Sequence, residues 1–336
     1  MPRRRRSRYV FHRRLRLLRE GQKRSRVRRA IILTALVILA LPVLAVPALA
    51  AESVGSLPAV DGLSSSGLKQ DMLIFDRHGT LIDDIGDHGD HRIVVPLKSM
   101  SPFVSQATIA IEDRTFYKNS GIDVGGIARA AVADYTHHHI DQGGSTISQQ
   151  LVKQVFIGPN PPPTIQRKLR EAALAVDLNS RYSKEQILEM YLNTIYYGSQ
   201  SYGIEAAARA FYHTTSHDLT LGQAAMLAGL PQAPTQNSPL INPTQARARQ
   251  LEVLHAMLAQ KMITPAQELA AENEKLQAFY PSNPLLAPHF VDYVLQVLAQ
   301  QFHIRPSDRK GYRIYTSLDM NLQNLAETVV RNQINS

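Results

Sequence analysis

Between Ser101 and about Lys261, apolar residues recur at the three-to-four-residue spacing of amphipathic helices, and shorter alternating runs flank that stretch on both sides. Ser101-Pro102 sets a proline in the first turn of a helix. Ser183-x-x-Gln186 and Thr220-x-x-Gln223 spell capping boxes ahead of apolar-periodic runs. Ile165, Leu169, Ala172 and Val176 predict the core stripe of another helix. One more, from about Thr244, would carry Leu251, Leu254 and Leu258 on one face, after a loop punctuated by Pro231, Pro234, Pro239 and Pro243. Upstream, Met72–Phe75 and Thr80–Ile82 read as strands around an Asp76-Arg77-His78-Gly79 turn, and Ile93–Val95 is a candidate extension of that sheet. Near the end, Tyr312–Thr316 alternates as a strand, and Asp319 precedes a helix containing Leu322, Leu325 and Val329. The pattern predicts a mainly α fold with a small β hairpin or sheet. No repeat of fixed period is present, which excludes a solenoid.

One segment stands outside this amphipathic scheme. Ala30–Ala51 is apolar and uncharged, and at helical rise it spans roughly 33 Å, enough for the hydrocarbon core of a bilayer. It predicts one transmembrane helix. The competing reading is a cleaved signal peptide ending at Ala48-Leu49-Ala50, but the apolar run exceeds the ~7–15 residues of a usual signal core. Either way the remainder is exported.

Charge changes the picture only through its distribution. The formal net charge is +9, which by itself suggests nucleic acid, yet Met1–Arg29 holds 14 Lys/Arg and one acid, Glu20. What remains is 23 basic against 27 acidic residues, a net of −4. A basic run ahead of an apolar span holds the N-terminus in the cytoplasm and does not define a nucleic-acid surface. There is no cysteine, so neither disulfides nor thiolate chemistry enters.

Four segments carry the candidate chemistry. Ile109–Tyr117 contains the acidic pair Glu112-Asp113 at the end of an apolar helical run, where burial would raise a carboxyl pKa toward general acid or base use. Gln142–Lys153 opens on two glycines and offers Ser145, Thr146, Gln149, Gln150 and Lys153 at a helix start, a set suited to sugar or phosphate oxygens. Ile165–Glu171 puts Arg167 and Glu171 one helical turn apart, with Lys168 beside them. Arg181–Asn193 adds Lys184 and Asn193. Each segment alone reads equally as ordinary capping, a solvated helix face or a surface ion pair. Ser66-Gly67-Leu68-Lys69 has the form of a serine–lysine nucleophile pair, but it lies in a Gly/Ser-rich stretch without a downstream Lys-Thr-Gly and is set aside. His137-His138-His139 lacks a matched ligand set, because adjacent residues point in different directions.

Taken together, in this order, the segments resemble the signature blocks of glycosyltransferase family 51: E-D-x-x-F, G-G-S-T-I-x-Q-Q, R-K-x-x-E and K-x-x-I-L-x-x-Y-L-N. A fifth block, Arg249-x-x-x-Val253-Leu254, follows Leu230-Pro231-Gln232-Ala233-Pro234. The resemblance is to the polymerising half of a class A penicillin-binding protein. It implies a lysozyme-like catalytic domain over 99–265, behind a basic cytoplasmic tail (1–29), a single-pass anchor (30–51) and a tether with a small β region (52–98). The stretch 266–336 would be a connector toward a transpeptidase domain.

The implied activity is polymerisation of lipid II onto a glycan carried on polyprenyl pyrophosphate, at the outer face of the cell membrane. Glu112 would be the general base and Glu171 a second essential carboxylate. Lys153, Arg167 and Lys168 would meet the pyrophosphate. Ser145, Thr146, Gln149 and Gln150 would line the donor groove, Asp113 and Phe116 would shape the site, and Lys184 and Asn193 would bind substrate. No cofactor is expected to be required and no metal ligands are assigned, with a divalent cation such as Mg²⁺ the one candidate. Other wall-synthesis proteins are the expected partners. Two positions depart from the family pattern: Asn119, where histidine is common, and Pro161-Pro162-Pro163, where a basic residue commonly precedes the Arg-Lys pair. The competing functions are a lytic, glycan-cleaving enzyme and an inactive membrane-anchored scaffold.

Overall fold

The computed structural model describes residues 60, 63–86, 90–126, 144–158, 164–279 and 286–334. The basic tail, the apolar span at 30–51, the three histidines and the three prolines lie outside these residues. Among the described residues no helix is long and apolar enough to cross a membrane.

The body is helical, as the periodicity predicts. Helix α1 (Pro102–Glu112) begins with proline in its first turn. Helix α2 (Ile147–Val152) is short and runs into a wider π turn at Lys153–Ile157. Helices α3 (Ile165–Arg181), α4 (Lys184–Thr194), α5 (Ile204–Tyr212), α6 (Leu221–Ala228), α7 (Pro243–Ala259) and α8 (Pro265–Asn273) follow. Both expected capping boxes form, at Ser183/Gln186 and Thr220/Gln223. A further one at Thr264/Gln267 starts α8, just past the stretch where the periodicity was legible. The apolar faces of α1 serve two clusters: Val104 and Ile109 join one with α2–α5, and Ala107 and Ala110 join the other with α6–α8. A helix enclosed on both sides holds its C-terminal residue, Glu112, in a fixed place.

Two helices bury faces other than those expected. On α7 the buried positions are Ala246, Gln250, Val253, Leu254 and Met257, while Leu251 and Leu258 are half-exposed. On α3 the buried stripe is Glu171, Leu174, Ala175 and Leu178, not Leu169, Ala172 and Val176, which are only partly covered. The apolar count had favoured the wrong face because the true one begins with a carboxylate.

The β part forms two small sheets. Strands β1 (Met72–Phe75) and β2 (Leu81–Ile85) pair antiparallel around a turn in which Gly79 adopts φ +86°. Ile93–Val95 does not extend this sheet. The neighbouring strand is instead β3 (His91–Arg92), which pairs in parallel with β4 (Ser201–Tyr202) from the helical body. The free edge of β1 is taken by β5 (Arg313–Tyr315), in parallel, so the sheet order is β2-β1-β5. Helix α9 (Pro288–Gln301) covers this sheet through Val291, Val294 and Leu298 against Met72, Ile74 and Ile82. Helix α10 (Met320–Ile334) starts where Asp319 caps Asn321 and Leu322, but its Leu322, Leu325 and Val329 are exposed. The small β region and the C-terminal stretch therefore share one core.

The two sheets meet at an ion cluster. The Asp71 carboxylate is fully buried and accepts from Arg92 N (2.9 Å) and His91 Nδ1 (3.2 Å), and its other oxygen faces Arg309 Nη2 at 3.3 Å. Asp84 lies 3.5 Å from the same His91 nitrogen. Hydrogen bonding to Asp71, and then to Asp84, pushes the His91 pKa up to about 10. Because the folded value lies above the ordinary one of ~6.5, this contribution to stability is complete below pH ~6.5 and is lost as pH rises through about 10. His91→Gln is expected to destabilise the fold by about 1–3 kcal/mol near pH 6. In denaturant titrations at several pH values, the gap between wild type and variant should close by pH ~10–11.

Candidate active site

Glu112 ends α1, the helix locked between the two helical clusters. Its Oε2 accepts a 2.5 Å hydrogen bond from Gln150 Nε2, and the Gln150 carbonyl in turn accepts from Tyr191 Oη at 3.0 Å. Tyr191 is itself fully buried, so the chain Tyr191–Gln150–Glu112 fixes one carboxylate oxygen from the core outward. The other oxygen, Oε1, is buried and has no hydrogen-bond partner among the described residues. Burial raises the Glu112 pKa above the ordinary value. The Gln150 hydrogen bond and the positive charge of Arg249 oppose that rise, and neighbouring Asp113 adds to it. The result is a carboxyl group with one side clamped and the other open to a proton.

Asp113 holds the loop beneath this group. It is buried and accepts from Asn119 Nδ2 at 2.9 and 3.0 Å, from Thr115 Oγ1 at 3.1 Å and from Ile147 N at 3.2 Å. The end of α1 is thereby tied to the start of α2. Gly121 completes the connection: its φ of +102° and its missing Cβ, which would stand 2.4 Å from Ala175 O, let the loop press against α3. Its carbonyl accepts from Thr146 Oγ1 at 2.6 Å.

A second cluster lies on α3. Glu171, only 2% exposed, faces Arg167 Nη1 at 3.3 Å and Lys168 Nζ at 3.0 Å. Lys168 also donates to Ser145 Oγ at 2.7 Å. Ser145 and Gln150 sit five residues apart on one short segment, so residues 145–150 bridge the two carboxylate clusters. Lys153, half-buried at the start of the π turn, has no ion-pair partner among the described residues. Glu171 already faces two cations, so a divalent ion would have to displace one of them.

Several residues expected at the substrate have other work. Thr146 and Gln149 are buried and form a reciprocal capping box at the start of α2, so neither lines a groove. Phe116 is completely buried, with Lys184 Nζ 4.8 Å above its ring. Lys184 donates to Asn179 Oδ1 (2.6 Å) and Asn119 Oδ1 (3.3 Å), and burial lowers its pKa. Asn193 is buried too: it accepts from Val95 N and donates to Val95 O and Glu189 O, pinning α4 to the segment after β3. These residues position the site from below. Tyr191 and Arg249, absent from the expected site, belong to it. Both stand in the recognised blocks, and Gly229 is a further signal, since a Cβ there would sit 2.8 Å from Arg249 Cγ.

Comparison with known proteins places the chain in a family. Residues 78–258 match the transglycosylase family. Penicillin-binding protein 2D of Bacillus subtilis (strain 168) is 35% identical over 281 residues, covering 82% of this chain and 40% of the relative. Penicillin-binding protein 1A of Escherichia coli (strain K12) is 37% identical over 280 residues, covering 83% and 32%. A crystal structure of penicillin-binding protein 1A from Haemophilus influenzae aligns over 79% of this chain and 29% of its own, at 25% identity and a TM-score of 0.39. The chain belongs to the transglycosylase family. It spans 40% or less of the length of these relatives.

The Asn119 departure is thus accommodated by an asparagine that serves Asp113, Gly121 and Lys184 at once. Asn119→Ala should cost about 1–3 kcal/mol, because it leaves a buried carboxylate and a half-buried ammonium short of partners. Urea denaturation with an unchanged m-value would register this as a shift of the midpoint alone.

Proposed function

We propose that this chain polymerises lipid II, extending a glycan carried on polyprenyl pyrophosphate through β-1,4 bonds with inversion. The observation that carries the reading is the unclaimed, buried Oε1 of Glu112, on a carboxylate whose other oxygen is fixed by Gln150. Glu112 takes the proton from the acceptor's 4-hydroxyl as that oxygen attacks the donor's anomeric carbon. The bond to pyrophosphate breaks with its electron pair, and the leaving group gathers negative charge. Arg167, Lys168 and Lys153 stabilise that charge more in the transition state than in the ground state. Glu171 keeps Arg167 and Lys168 in place.

The same arrangement favours transfer over hydrolytic cleavage of finished strands. A lytic enzyme needs a protonated carboxylic acid at the leaving oxygen. Glu171 is bracketed by two cations, a setting that suits a departing pyrophosphate and not an acid at a glycosidic oxygen. A lipid-linked substrate also suits a chain with an apolar span at 30–51 anchoring the catalytic domain at the outer membrane face, near other wall-synthesis proteins.

The test is lipid II polymerisation by the full chain in detergent, with glycan strands resolved on a gel. Glu112→Gln should lower kcat by about 10²–10⁴. Strand formation by that variant at the wild-type rate would remove Glu112 from the base role, and binding of lipid II without turnover by wild type would support the scaffold reading. The acid limb of the rate profile should lie above the ordinary carboxyl range, because the base must be ionised and burial raises its pKa. Gln150→Leu removes the bond that lowers that pKa, so its acid limb should move to still higher pH.

A further inference from the structure

Helices α7 and α8 pack through Val253, Leu254, Met257, Ile263 and Ala271, which fixes their outer edges relative to each other. On that edge stand His255 from α7 and, one turn apart on α8, Glu268 and Glu272. One ligand atom from each of the three lies within 4.8 Å of the other two. His255 Nε2 is 3.4 Å from Glu272 Oε1 and 3.8 Å from Glu268 Oε1.

These separations are too long for good hydrogen bonds, which close to about 2.7–3.2 Å. The shorter of the two matches the edge of a tetrahedron, and the longer exceeds it by about 0.4 Å. With bonds of about 2.0–2.1 Å to nitrogen and oxygen, two ligands on a tetrahedral ion stand roughly 3.3–3.4 Å apart. Glu268 Oε1 is buried and accepts no hydrogen bond among the described residues, so the packed edge holds a carboxylate oxygen that only an ion or a protonated histidine would satisfy. Nearby Arg247 donates to the Glu272 carbonyl and to Gln250 Oε1. Two partly buried carboxylates and an exposed imidazole thus converge at one edge of the helix pair.

We propose that His255, Glu268 and Glu272 form a surface site for a late first-row divalent cation, with Zn²⁺ the best fit, water completing the coordination. The imidazole excludes Ca²⁺ and Mg²⁺ as preferred occupants, since both favour all-oxygen sets. The ion clips α8 to α7. Beyond α8 the chain returns to the body, where Glu274 accepts from Thr220 Oγ1 at 2.7 Å and Phe279 N donates to Phe211 O at 2.9 Å. The clip thus secures the segment that closes the helical domain, far along the chain from the Glu112 and Glu171 clusters.

Co²⁺ is the probe, because low-coordinate Co²⁺ absorbs visibly and Zn²⁺ displaces it. The full chain in detergent, stripped with chelator, should take up Co²⁺ with this absorption, and Zn²⁺ should abolish the band. Histidines elsewhere in the chain also bind metal, so the comparison is with His255→Ala, which should lose one equivalent and the band. Glu272→Gln should weaken binding tenfold or more. Zn²⁺ should raise the melting temperature of wild type by a few degrees and leave that of His255→Ala unchanged. Equal stoichiometry and affinity in wild type and His255→Ala, or no Co²⁺ uptake by wild type, would overturn the proposal. His255 is exposed, so loss of its ring should leave the metal-free melting temperature in place; if it does not, Glu272→Gln carries the comparison.

Discussion

A carboxylate placed in a protein core needs a donor for each oxygen or it will not stay charged, and this molecule places two of them at helix positions that would otherwise be apolar. The short helix α2 and the residues before it meet each demand at one oxygen, and Oε1 of each glutamate accepts no hydrogen bond among the described residues. Gln150 reaches Glu112, and Ser145 holds the lysine that faces Glu171. Everything around α2 serves to keep it where those bonds can form. Asp113 receives its first amide, Gly121 brings the preceding loop against α3, and the Thr146–Gln149 box closes its N-terminus. A helix of six residues has little stability of its own, so its geometry is that of its neighbours.

The contrast between the two glutamates follows from what surrounds them. Glu112 has one amide donor, a neighbouring carboxylate and apolar packing, and its proton affinity rises. Glu171 has a guanidinium and an ammonium within 3.3 Å. In the proposed mechanism the first group receives a proton and the second holds cations in place for a charge that arrives with the substrate. A similar division separates the lysines: Lys168 stands half-exposed at the second cluster, whereas Lys184 is drawn under Phe116 and into a network of asparagine side chains.

The sequence made much of this legible. Caps, proline positions and periodicity identified α1, α4, α6 and α7, and the ordered motif blocks singled out both glutamates together with Gln150, Arg167 and Lys168, which the fold gathers into two clusters bridged by residues 145–150. What escaped was the direction in which particular side chains point. The α3 stripe was misread because an apolar count cannot anticipate a glutamate at a core position. Thr146, Gln149 and Asn193 were assigned to substrate because a motif records that a polar residue is needed without recording whether it binds a ligand or a backbone. Their capping and clamping roles depend on contacts 25 to 98 residues away for Thr146 and Asn193. The Ile93–Val95 strand failed for a similar reason: its neighbour β4 lies in another part of the chain, and pairing is set one step earlier, at His91–Arg92.

The sheet β2-β1-β5 imposes an order on biogenesis. Leu73 pairs with Arg313, so as synthesis proceeds from the N-terminus, β1 waits with an open edge while the whole helical body is delivered. The helical body, rich in contacts between successive elements, can consolidate in that interval, whereas the parallel pair must close a long loop and comes last. The free edge of Met-Leu-Ile-Phe, paired on its other side with β2, is a template for misassociation for as long as it remains uncovered. The time taken to make the chain as far as residue 315 thus sets how long each new molecule is exposed to that hazard.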